Sequence, residues 1–500
     1  MSNALPDDIA SFLSCRNRSN WTDPRVWQNL VKANKLHISN NTNDNPVANY
    51  PSPLDSASTQ TMVTDNSLRN NIMQDGYTLL PGNSSDNPLI ASLADGITEL
   101  HKSHSLPATF ILLFDEAWHL ASSTIAHAIS QSSHPVNQFN FDMLAWYIDP
   151  SEGTSGFSPH RDRQPPNHLV KDSFHSDGQA KYVTLWMALS HATPENSCLY
   201  VIPKDCDPGY LNGDDLEQDL GQDDNNGNDD DIDNHIDDHI ENNVQQQDPL
   251  SRCLSSKESY QNIRALPRKP GESIAFTHRI LHWGSKGHKN CTNSPRIAIS
   301  FVSSDPSFEK PYLKNYGKYW SQEIIQKQTS LNAIVLPPFE IRLLLVCAQL
   351  LIYYQRFDLP KDAIRGCYEY CKERKDELDD GYWKKVSLEF VKAMREMSGS
   401  SDKVRDIEQS DIEETKEKDV KLNSNKKQED DEDDAMLEAM LENADEADDD
   451  FDDMVNGDDE LSESITEDGN DEYDFESSDG DEECNLFGSI ETPQPKKRKF

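Results

Sequence analysis

Three residues in the middle of the chain have the types and the spacing of metal ligands. His160 and Asp162 lie two positions apart, so on an extended segment both side chains point to the same face. A later strand can bring His282 to the third corner of the same site. Two imidazoles and one carboxylate on one side of a metal leave its opposite side open, which suits ferrous iron in oxygen-activating enzymes. The pattern therefore predicts an iron site.

The alternative is that these residues are polar loop positions whose spacing arises by chance. Residues 182–189 predict a buried strand, and residues 193–203 predict a turn rich in Pro and Asn followed by a second strand. Residues 271–277 predict a turn and a strand before His282, and residues 297–302 predict a further strand. Strands on both sides of the candidate ligands favour the metal site.

Arg296 is a candidate anion-binding residue. It lies 14 residues past His282, which is enough for a strand to end, turn and begin again. A buried arginine at this position would present a planar fork to a carboxylate.

These segments resemble the phytanoyl-CoA dioxygenase-like branch of the iron- and 2-oxoglutarate-dependent oxygenases. That family has the pattern W-x-A-L…T-P-E-N-G-x-L-x-V-x-P between its HxD motif and its distal histidine. Residues 186–203 follow this pattern, with Ser197 in place of the usual glycine. The family's distal H-G-S and its arginine correspond to residues 282–285 and Arg296, with Trp283 inserted and a longer gap before the arginine.

The resemblance covers residues 74–312 and implies both the activity and the ligand set. It gives His160, Asp162 and His282 as the iron(II) ligands and catalytic residues. It gives Arg296 as the anchor of 2-oxoglutarate. The implied activity is an iron(II)- and 2-oxoglutarate-dependent dioxygenase that uses O2 to hydroxylate a C–H bond of a substrate the sequence does not identify.

Two further residues are expected near the co-substrate, and one alternative ligand is considered. Ser285 is a weaker candidate contact beside the arginine, and Trp186 is a candidate pocket residue, although tryptophan in a strand is more often core. His278 is the alternative third ligand. His282 is preferred because Gly284 and Ser285 follow it.

The implied fold is mainly β with α, a double-stranded β-helix (jelly-roll or cupin-like) barrel flanked by helices. The predicted organisation is an N-terminal helical segment and linker, the dioxygenase-like domain with a disordered acidic insert, a C-terminal helical appendage, and a disordered acidic tail with a terminal nuclear signal. In that order they span residues 1–67, 68–318 with the insert at 213–248, 319–400 and 401–500. Apolar spacing predicts helices at residues 89–100, 116–130, 340–357, 360–371 and 382–397.

The negative charge is concentrated in two segments. The chain has a formal net charge of −42, from 89 Asp and Glu against 47 Lys and Arg. Residues 213–248 hold 14 acidic residues and residues 429–483 hold 29, and neither segment contains Lys or Arg. The remaining 46 acidic residues nearly balance the 47 basic ones. Both acidic segments are too polar to bury much surface, which predicts disorder.

The chain ends in a compact basic cluster. Lys496, Lys497, Arg498 and Lys499 predict a nuclear localisation signal that a nuclear import receptor binds, the alternative being a random basic tail. An acidic tail on a nuclear protein would attract basic proteins and repel nucleic acid. Nine cysteines without CxxC pairs indicate neither disulfides nor zinc. Without a signal peptide or an apolar run of ~18 residues, a soluble protein is expected, nuclear or alternatively cytoplasmic, with no membrane partner.

Two other classes of protein stay open at this point. A non-catalytic nuclear binding protein or chaperone would use the acidic tail to hold basic proteins, but the intact candidate ligands argue against it. A cupin-type isomerase or zinc protein of similar shape would need a further His or Glu in HxH spacing, which residues 160–162 do not supply. The enzyme is therefore favoured.

Overall fold

The computed structural model describes residues 12–14, 17–31, 36–39, 67–82, 87–124, 132–214, 248–291, 295–319 and 336–397. Four sequence predictions concern other parts of the chain: the linker before residue 67, most of the acidic insert, the acidic tail and the terminal basic cluster. These predictions lie outside the described residues.

The described part of the chain has a mixed α/β fold built around two antiparallel sheets. The strands are β1 Tyr77–Leu80, β2 Gln138–Ile148, β3 Tyr182–Ala188, β4 Leu199–Ile202, β5 Arg264–Leu266, β6 Ser273–Thr277, β7 Leu281–Gly284 and β8 Arg296–Ser304. The larger sheet has the strand order β1-β6-β3-β8-β2, and the smaller sheet has the order β5-β4-β7. The strands predicted around the candidate ligands are confirmed.

The larger sheet is buried on both faces because different layers cover them. Side chains alternate between the faces along β3 and β8. Leu185 and Ile299 belong to a hydrophobic cluster that includes the helices. Trp186 and Ala298 point the other way and belong to a second cluster with Leu199 of the smaller sheet. Because both faces of the larger sheet are buried, β3 has a nearly continuous apolar sequence.

Most of the helices belong to the hydrophobic cluster that covers one face of the larger sheet. The helices are α1 Arg18–Trp21, α2 Pro24–Leu30, α3 Ser67–Asp75, α4 Pro88–His104, α5 Asp115–Thr124, α6 Gly209–Asn212, α7 Pro249–Cys253, α8 Phe339–Ile352, α9 Tyr354–Phe357, α10 Lys361–Lys372 and α11 Asp380–Met397. A 3-10 segment, Ala108–Leu113, precedes α5. The start of α4 follows the usual rule, since the side chain of Asn87 accepts a hydrogen bond from the Leu89 backbone and Pro88 begins the helix.

Helix α8 lies inside the helical layer. Twelve of its 14 residues are buried, and it packs against α10, α11 and the 3-10 segment. A helix that is apolar on all sides must be enclosed by protein, so the C-terminal helices share the main hydrophobic core with the larger sheet. The helix predicted over residues 340–357 is interrupted at Tyr353, whose φ of −113° and ψ of 27° leave helical geometry. None of the described helices has the length and apolar character needed to cross a membrane.

Two buried polar residues tie α8 to the rest of the fold. Arg342 donates hydrogen bonds to Asp115 Oδ1 at 2.5 Å and to Leu113 O at 3.0 Å. Gln349 Nε2 donates to Asp142 Oδ1 at 2.8 Å. The first contact joins α8 to the start of α5, and the second joins it to β2.

Loss of Arg342 would leave Asp115 buried without its cationic partner. We expect Arg342→Met to lower the free energy of unfolding by about 3–5 kcal/mol, because breaking a buried ion pair leaves an uncompensated charge. The measurement is urea denaturation of the full chain. The matched control is Arg25→Met, which removes an exposed arginine from its pair with Asp23 and should change stability little. Equal effects of the two substitutions would contradict the structural role of Arg342.

Candidate active site

The first candidate ligand lies on a segment that runs antiparallel to β7. His160 N donates to His282 O and His282 N donates to His160 O, both at 3.0 Å. Gly284 N donates to Phe157 O at 2.9 Å. Because β7 is the edge strand of the smaller sheet, residues 156–160 extend this sheet. The pairing places the two histidines directly opposite each other.

The three candidate metal ligands converge on one point. His282 Nε2 is 3.5 Å from Asp162 Oδ1, and His160 Nε2 is 3.9 Å from the same oxygen. All three ligand atoms lie within 4.8 Å of one another. In the described part of the chain, this is the one group of three or more His, Cys, Asp or Glu side chains close enough to share a metal.

Backbone carbonyls orient both imidazoles. His160 Nδ1 lies 2.7 Å from Ser158 O, and His282 Nδ1 lies 3.1 Å from Ile280 O. A carbonyl can only accept, so each Nδ1 carries the proton and each Nε2 presents a lone pair to the site. Burial, together with the neighbouring His160, lowers the pKa of His282 to about 4 and keeps this ring neutral near pH 7. Neutral imidazole is the form that binds metals.

A hydrogen bond from the facing sheet orients the carboxylate. Thr184 Oγ1 donates to Asp162 Oδ2, which leaves Oδ1 directed toward the two imidazoles. Burial alone would raise the pKa of Asp162, but the neighbouring His282 and His160 and the hydrogen bond from Thr184 lower it. The carboxylate is therefore ionised and ready to ligate a cation.

Glycines allow the two ligand-bearing segments to cross at close range. A Cβ on Gly284 would lie 2.7 Å from Gly156 Cα, and a Cβ on Gly156 would lie 2.4 Å from Gly284 Cα. Neither position has room for a side chain. Close approach of the two backbones therefore accounts for the glycine in the predicted distal motif.

Ser197 stands where the resembling family usually has glycine. Its φ of 74° is a conformation that glycine adopts more easily.

A cavity of about 260 Å³ lies between the two sheets and contains the three ligand candidates. Thr184 and Trp186 of β3 and Arg296 and Ser300 of β8 line it, at the alternate positions expected for one face of a sheet. The other lining residues are Asp142, Leu144, Trp146, Phe157, Arg161, Arg163, Tyr182, Leu199, Phe276, Trp283, Gly284, Val302 and Tyr353.

Arg296 is a buried cation that has no counter-ion among the described residues. The residue is 3% exposed, and its Nε has no hydrogen-bond partner. No described residue forms an ion pair or a hydrogen bond with its guanidinium, whose Cζ lies 5.6 Å from the ring centroid of Trp186. Burial lowers the pKa of Arg296 to about 10, as expected for a cation removed from water. Because an unpaired buried charge is costly, this arrangement favours an anion supplied from outside the chain.

The other residues singled out in the sequence take different positions. Trp186 lines the cavity. Ser285 follows β7 and does not line the cavity, and its hydroxyl donates to Pro194 O at 3.4 Å. His278 is fully buried with Nε2 2.8 Å from Ser173 Oγ, and it does not join the ligand group.

Sequence reasoning missed one wall of the cavity. Asp142, Arg163 and Tyr353 line it together with the ligand candidates. The available signal was Gln349, a polar residue inside the apolar sequence of α8, which donates to Asp142. A buried amide in an apolar helix indicates a buried polar partner elsewhere.

Comparison with known proteins identifies the central region. Residues 87–298 match the family model described as Phytanoyl-CoA dioxygenase (PhyH). The PhyH assignment applies to this region, which is less than half of the chain. His160, Asp162, His282 and Arg296 all fall within the PhyH domain. The match confirms the predicted family and a dioxygenase that uses iron(II) and 2-oxoglutarate. No curated protein sequence matches the chain.

Several solved structures match the chain at low similarity. The non-haem α-ketoglutarate-dependent epimerase SnoN from nogalamycin biosynthesis is 17% identical, with 48% of this chain and 80% of SnoN covered and a TM-score of 0.31. The carbocyclase SnoK from the same biosynthesis is 14% identical, with 51% and 87% covered and a TM-score of 0.32. AviO1 from Streptomyces viridochromogenes Tue57 is 15% identical, with 49% and 98% covered and a TM-score of 0.29. With TM-scores this low, the assignment depends on the PhyH match alone.

The residues present fit both cofactors of the PhyH domain. Two imidazoles with free Nε2 lone pairs and one ionised carboxylate are the donor set that non-haem iron(II) prefers. The unpartnered guanidinium of Arg296 lines the same cavity and suits a carboxylate of 2-oxoglutarate.

The hydrogen bond from Thr184 offers a test of the metal site. We expect Thr184→Val to weaken binding of iron(II), or of manganese(II) used in its place, by about tenfold or more, because loss of a group that orients a ligand typically costs 10–100-fold. Isothermal titration calorimetry with each ion measures the change.

A matched control for this test lies on α4. Thr98 Oγ1 donates to Ala94 O, far from the ligands in sequence, so Thr98→Val should leave metal affinity unchanged. Unaltered affinity in Thr184→Val would show that Asp162 does not depend on this hydrogen bond.

Proposed function

We propose that the chain is an iron(II)- and 2-oxoglutarate-dependent dioxygenase that hydroxylates a C–H bond of its substrate, with iron on His160, Asp162 and His282. Arg296 anchors the far carboxylate of 2-oxoglutarate. One observation carries this assignment: a buried guanidinium with no counter-ion in the described part of the chain shares a cavity with the three ligand candidates. An anionic co-substrate supplies the missing charge.

When bound, iron and 2-oxoglutarate supply the oxidising chemistry, in which O2 contributes one oxygen atom to succinate and the other to the product. The chain's own residues hold and orient these groups. Ser158 O and Ile280 O keep the imidazole protons on Nδ1, and Thr184 holds Asp162 with one oxygen free. The distal histidine is buried, at 5% exposure, so its side of the site is shielded from water.

The finer architecture is also part of this proposal. The two facing antiparallel sheets, with a site between them, support a double-stranded β-helix barrel of jelly-roll or cupin type. We place the dioxygenase-like domain at residues 68–318, after an N-terminal segment at 1–67. The helical appendage spans residues 319–400 and the acidic tail spans 401–500. Trp186 is kept as a pocket residue, which the cavity lining supports, whereas Ser285 lies outside that lining and is not kept as a co-substrate contact.

We place the enzyme in the nucleus on the basis of Lys496, Lys497, Arg498 and Lys499. This cluster is the expected contact for a nuclear import receptor, and the acidic tail suits basic nuclear proteins as partners. Replacing the four basic residues with alanine should abolish nuclear accumulation of a fluorescent fusion of the full chain. Replacing four acidic residues of the tail should leave accumulation unchanged. Equal distribution of both variants and the parent chain would overturn the nuclear assignment.

The activity is tested by 2-oxoglutarate turnover to succinate with iron(II) and no added substrate, because such enzymes consume the co-substrate slowly on their own. His160→Ala should abolish turnover and metal binding, whereas His168→Ala, at an exposed position, should change neither. If the native chain bound neither manganese(II) nor 2-oxoglutarate, the enzyme assignment would fall. The favoured assignment would then be a non-catalytic nuclear protein that holds basic partners through its acidic tail.

Arg296 allows a sharper test, because the assignment predicts opposite effects on binding and on stability. Arg296→Met should weaken 2-oxoglutarate binding by at least about thirtyfold, the minimum expected when one member of a buried charge pair is removed. The same substitution should not lower the thermal unfolding midpoint of the ligand-free protein, since it removes an unpaired buried charge. Arg264→Met, at an exposed arginine of β5, is the matched control for both measurements. Destabilisation of the ligand-free protein by Arg296→Met would contradict the assignment.

A further inference from the structure

The C-terminal helices supply a side chain to the active-site cavity. The break between α8 and α9 places Tyr353 in the cavity lining, although it lies 55 residues beyond the end of the PhyH match. Two residues of α9 pack against other residues of the same cavity wall. Phe357 stacks on Trp146 with ring centroids 5.1 Å apart, and Arg356 lies over Phe157 with Cζ 4.5 Å from the ring centroid.

Three aromatic rings form a corner of the cavity. Trp146 meets Phe157 at an interplanar angle of 87° and Tyr353 at 88°, with centroid distances of 4.8 and 6.0 Å. Phe157 and Tyr353 are inclined at 74°. Phe157 also contacts His160, with ring centroids 5.3 Å apart, so this corner adjoins the metal ligands. A substrate group held against these rings would therefore lie next to the metal.

The Tyr353 hydroxyl is available for hydrogen bonding. Tyr353 lines the cavity, no described residue forms a hydrogen bond with its hydroxyl, and the hydroxyl is not among the enclosed polar atoms, so it is accessible to a hydrogen-bond partner. Burial raises the pKa of Tyr353, and the negative charges of Asp142 and Asp162 act in the same direction. The phenol therefore stays protonated and can donate a hydrogen bond.

Asp142, a charged residue that lines the cavity, is already paired with other protein groups. Asp142 accepts hydrogen bonds from Tyr182 at 3.0 Å, from Tyr312 at 2.9 Å and from Gln349 at 2.8 Å. Arg163 lies 3.3 Å from the same carboxylate. Asp142 therefore has little remaining capacity to accept a hydrogen bond from a ligand.

The two cavity arginines near the ligands are paired as well. Arg163 forms two hydrogen bonds with Glu309, and Arg161 pairs with Asp207 at 2.6 Å and Asp214 at 2.7 Å. Among the described residues that line the cavity, Arg296 alone keeps an unpaired charge, and 2-oxoglutarate takes it under the proposed function. A charged substrate group would find no further unpaired counter-ion among the described lining residues and would lose its hydration, which is costly.

We propose that the group hydroxylated by this enzyme is uncharged, sits in the corner formed by Trp146, Phe157 and Tyr353, and accepts a hydrogen bond from the Tyr353 hydroxyl. This inference rests on the proposed function and names the chemical class of its substrate group. Tyr353 is then a substrate-binding residue contributed by the C-terminal helices.

Three small probes of the same shape test the class: neutral benzamide, anionic benzoate and cationic benzamidine. Their dissociation constants are measured by ligand-observed NMR on the full chain loaded with manganese(II) and saturating 2-oxoglutarate. Benzamide should bind at least about tenfold more tightly than either charged probe. Tyr353→Phe should weaken benzamide binding about three- to tenfold, the effect of one hydrogen bond between neutral groups, without altering the affinity for 2-oxoglutarate.

The matched control is Tyr354→Phe, the same change at the next residue. The hydroxyl of Tyr354 donates to Glu396 at 2.5 Å and does not face the cavity, so benzamide binding should be unchanged. Equal or tighter binding of a charged probe would overturn the proposal, as would binding of none of the three or an unaltered affinity in Tyr353→Phe. Failure of the proposed function is seen separately, as absence of manganese(II) and 2-oxoglutarate binding in the parent chain.

Discussion

The backbone pairing between residues 156–160 and β7 is the constraint on which the site depends. Two hydrogen bonds of 3.0 Å join His160 and His282, so sheet geometry sets the separation of the imidazoles. Asp162 lies just past this pairing, and Thr184 of the facing sheet orients it. The ligand set therefore combines side chains on the smaller sheet with a hydrogen bond from the larger one. It can form only when both sheets are packed together.

The residue between the first two ligands strengthens this arrangement. Arg161 is buried against Asp207 and Asp214, and Arg279, three residues before the distal histidine, lies 3.4 Å from Asp214. Burial would raise the pKa of Asp214, but the hydrogen bond from Arg161 lowers it, so the carboxylate holds both arginines as an ion. Buried ion pairs add little net stability, but breaking one is costly. We infer that this cluster of two arginines and two carboxylates fixes the two ligand-bearing segments relative to each other.

The candidate ligands could be predicted because local spacing carries the necessary information. A two-residue spacing puts His160 and Asp162 on one face, and a distinctive motif marks the region of His282. The family resemblance indicates Arg296 as an anion-binding residue, and in the structure it lines the same cavity without a counter-ion among the described residues. The position of Ser285 could not be predicted, since it depends on how the chain continues after β7. Motif membership alone does not determine which way a side chain points.

The cavity wall that the C-terminal helices supply could not be predicted from the sequence, for a different reason. Its contacts join positions far apart in the chain: Gln349 and Asp142 are 207 residues apart. The apolar sequence of α8 predicts burial but does not identify the covering surface. The inner face of β2 presents Trp146 to the cavity, and Tyr353 and Phe357 cover it. Because Tyr353 lies outside the PhyH match, the active-site cavity is a product of both regions, and the matched domain alone would lack one of its walls.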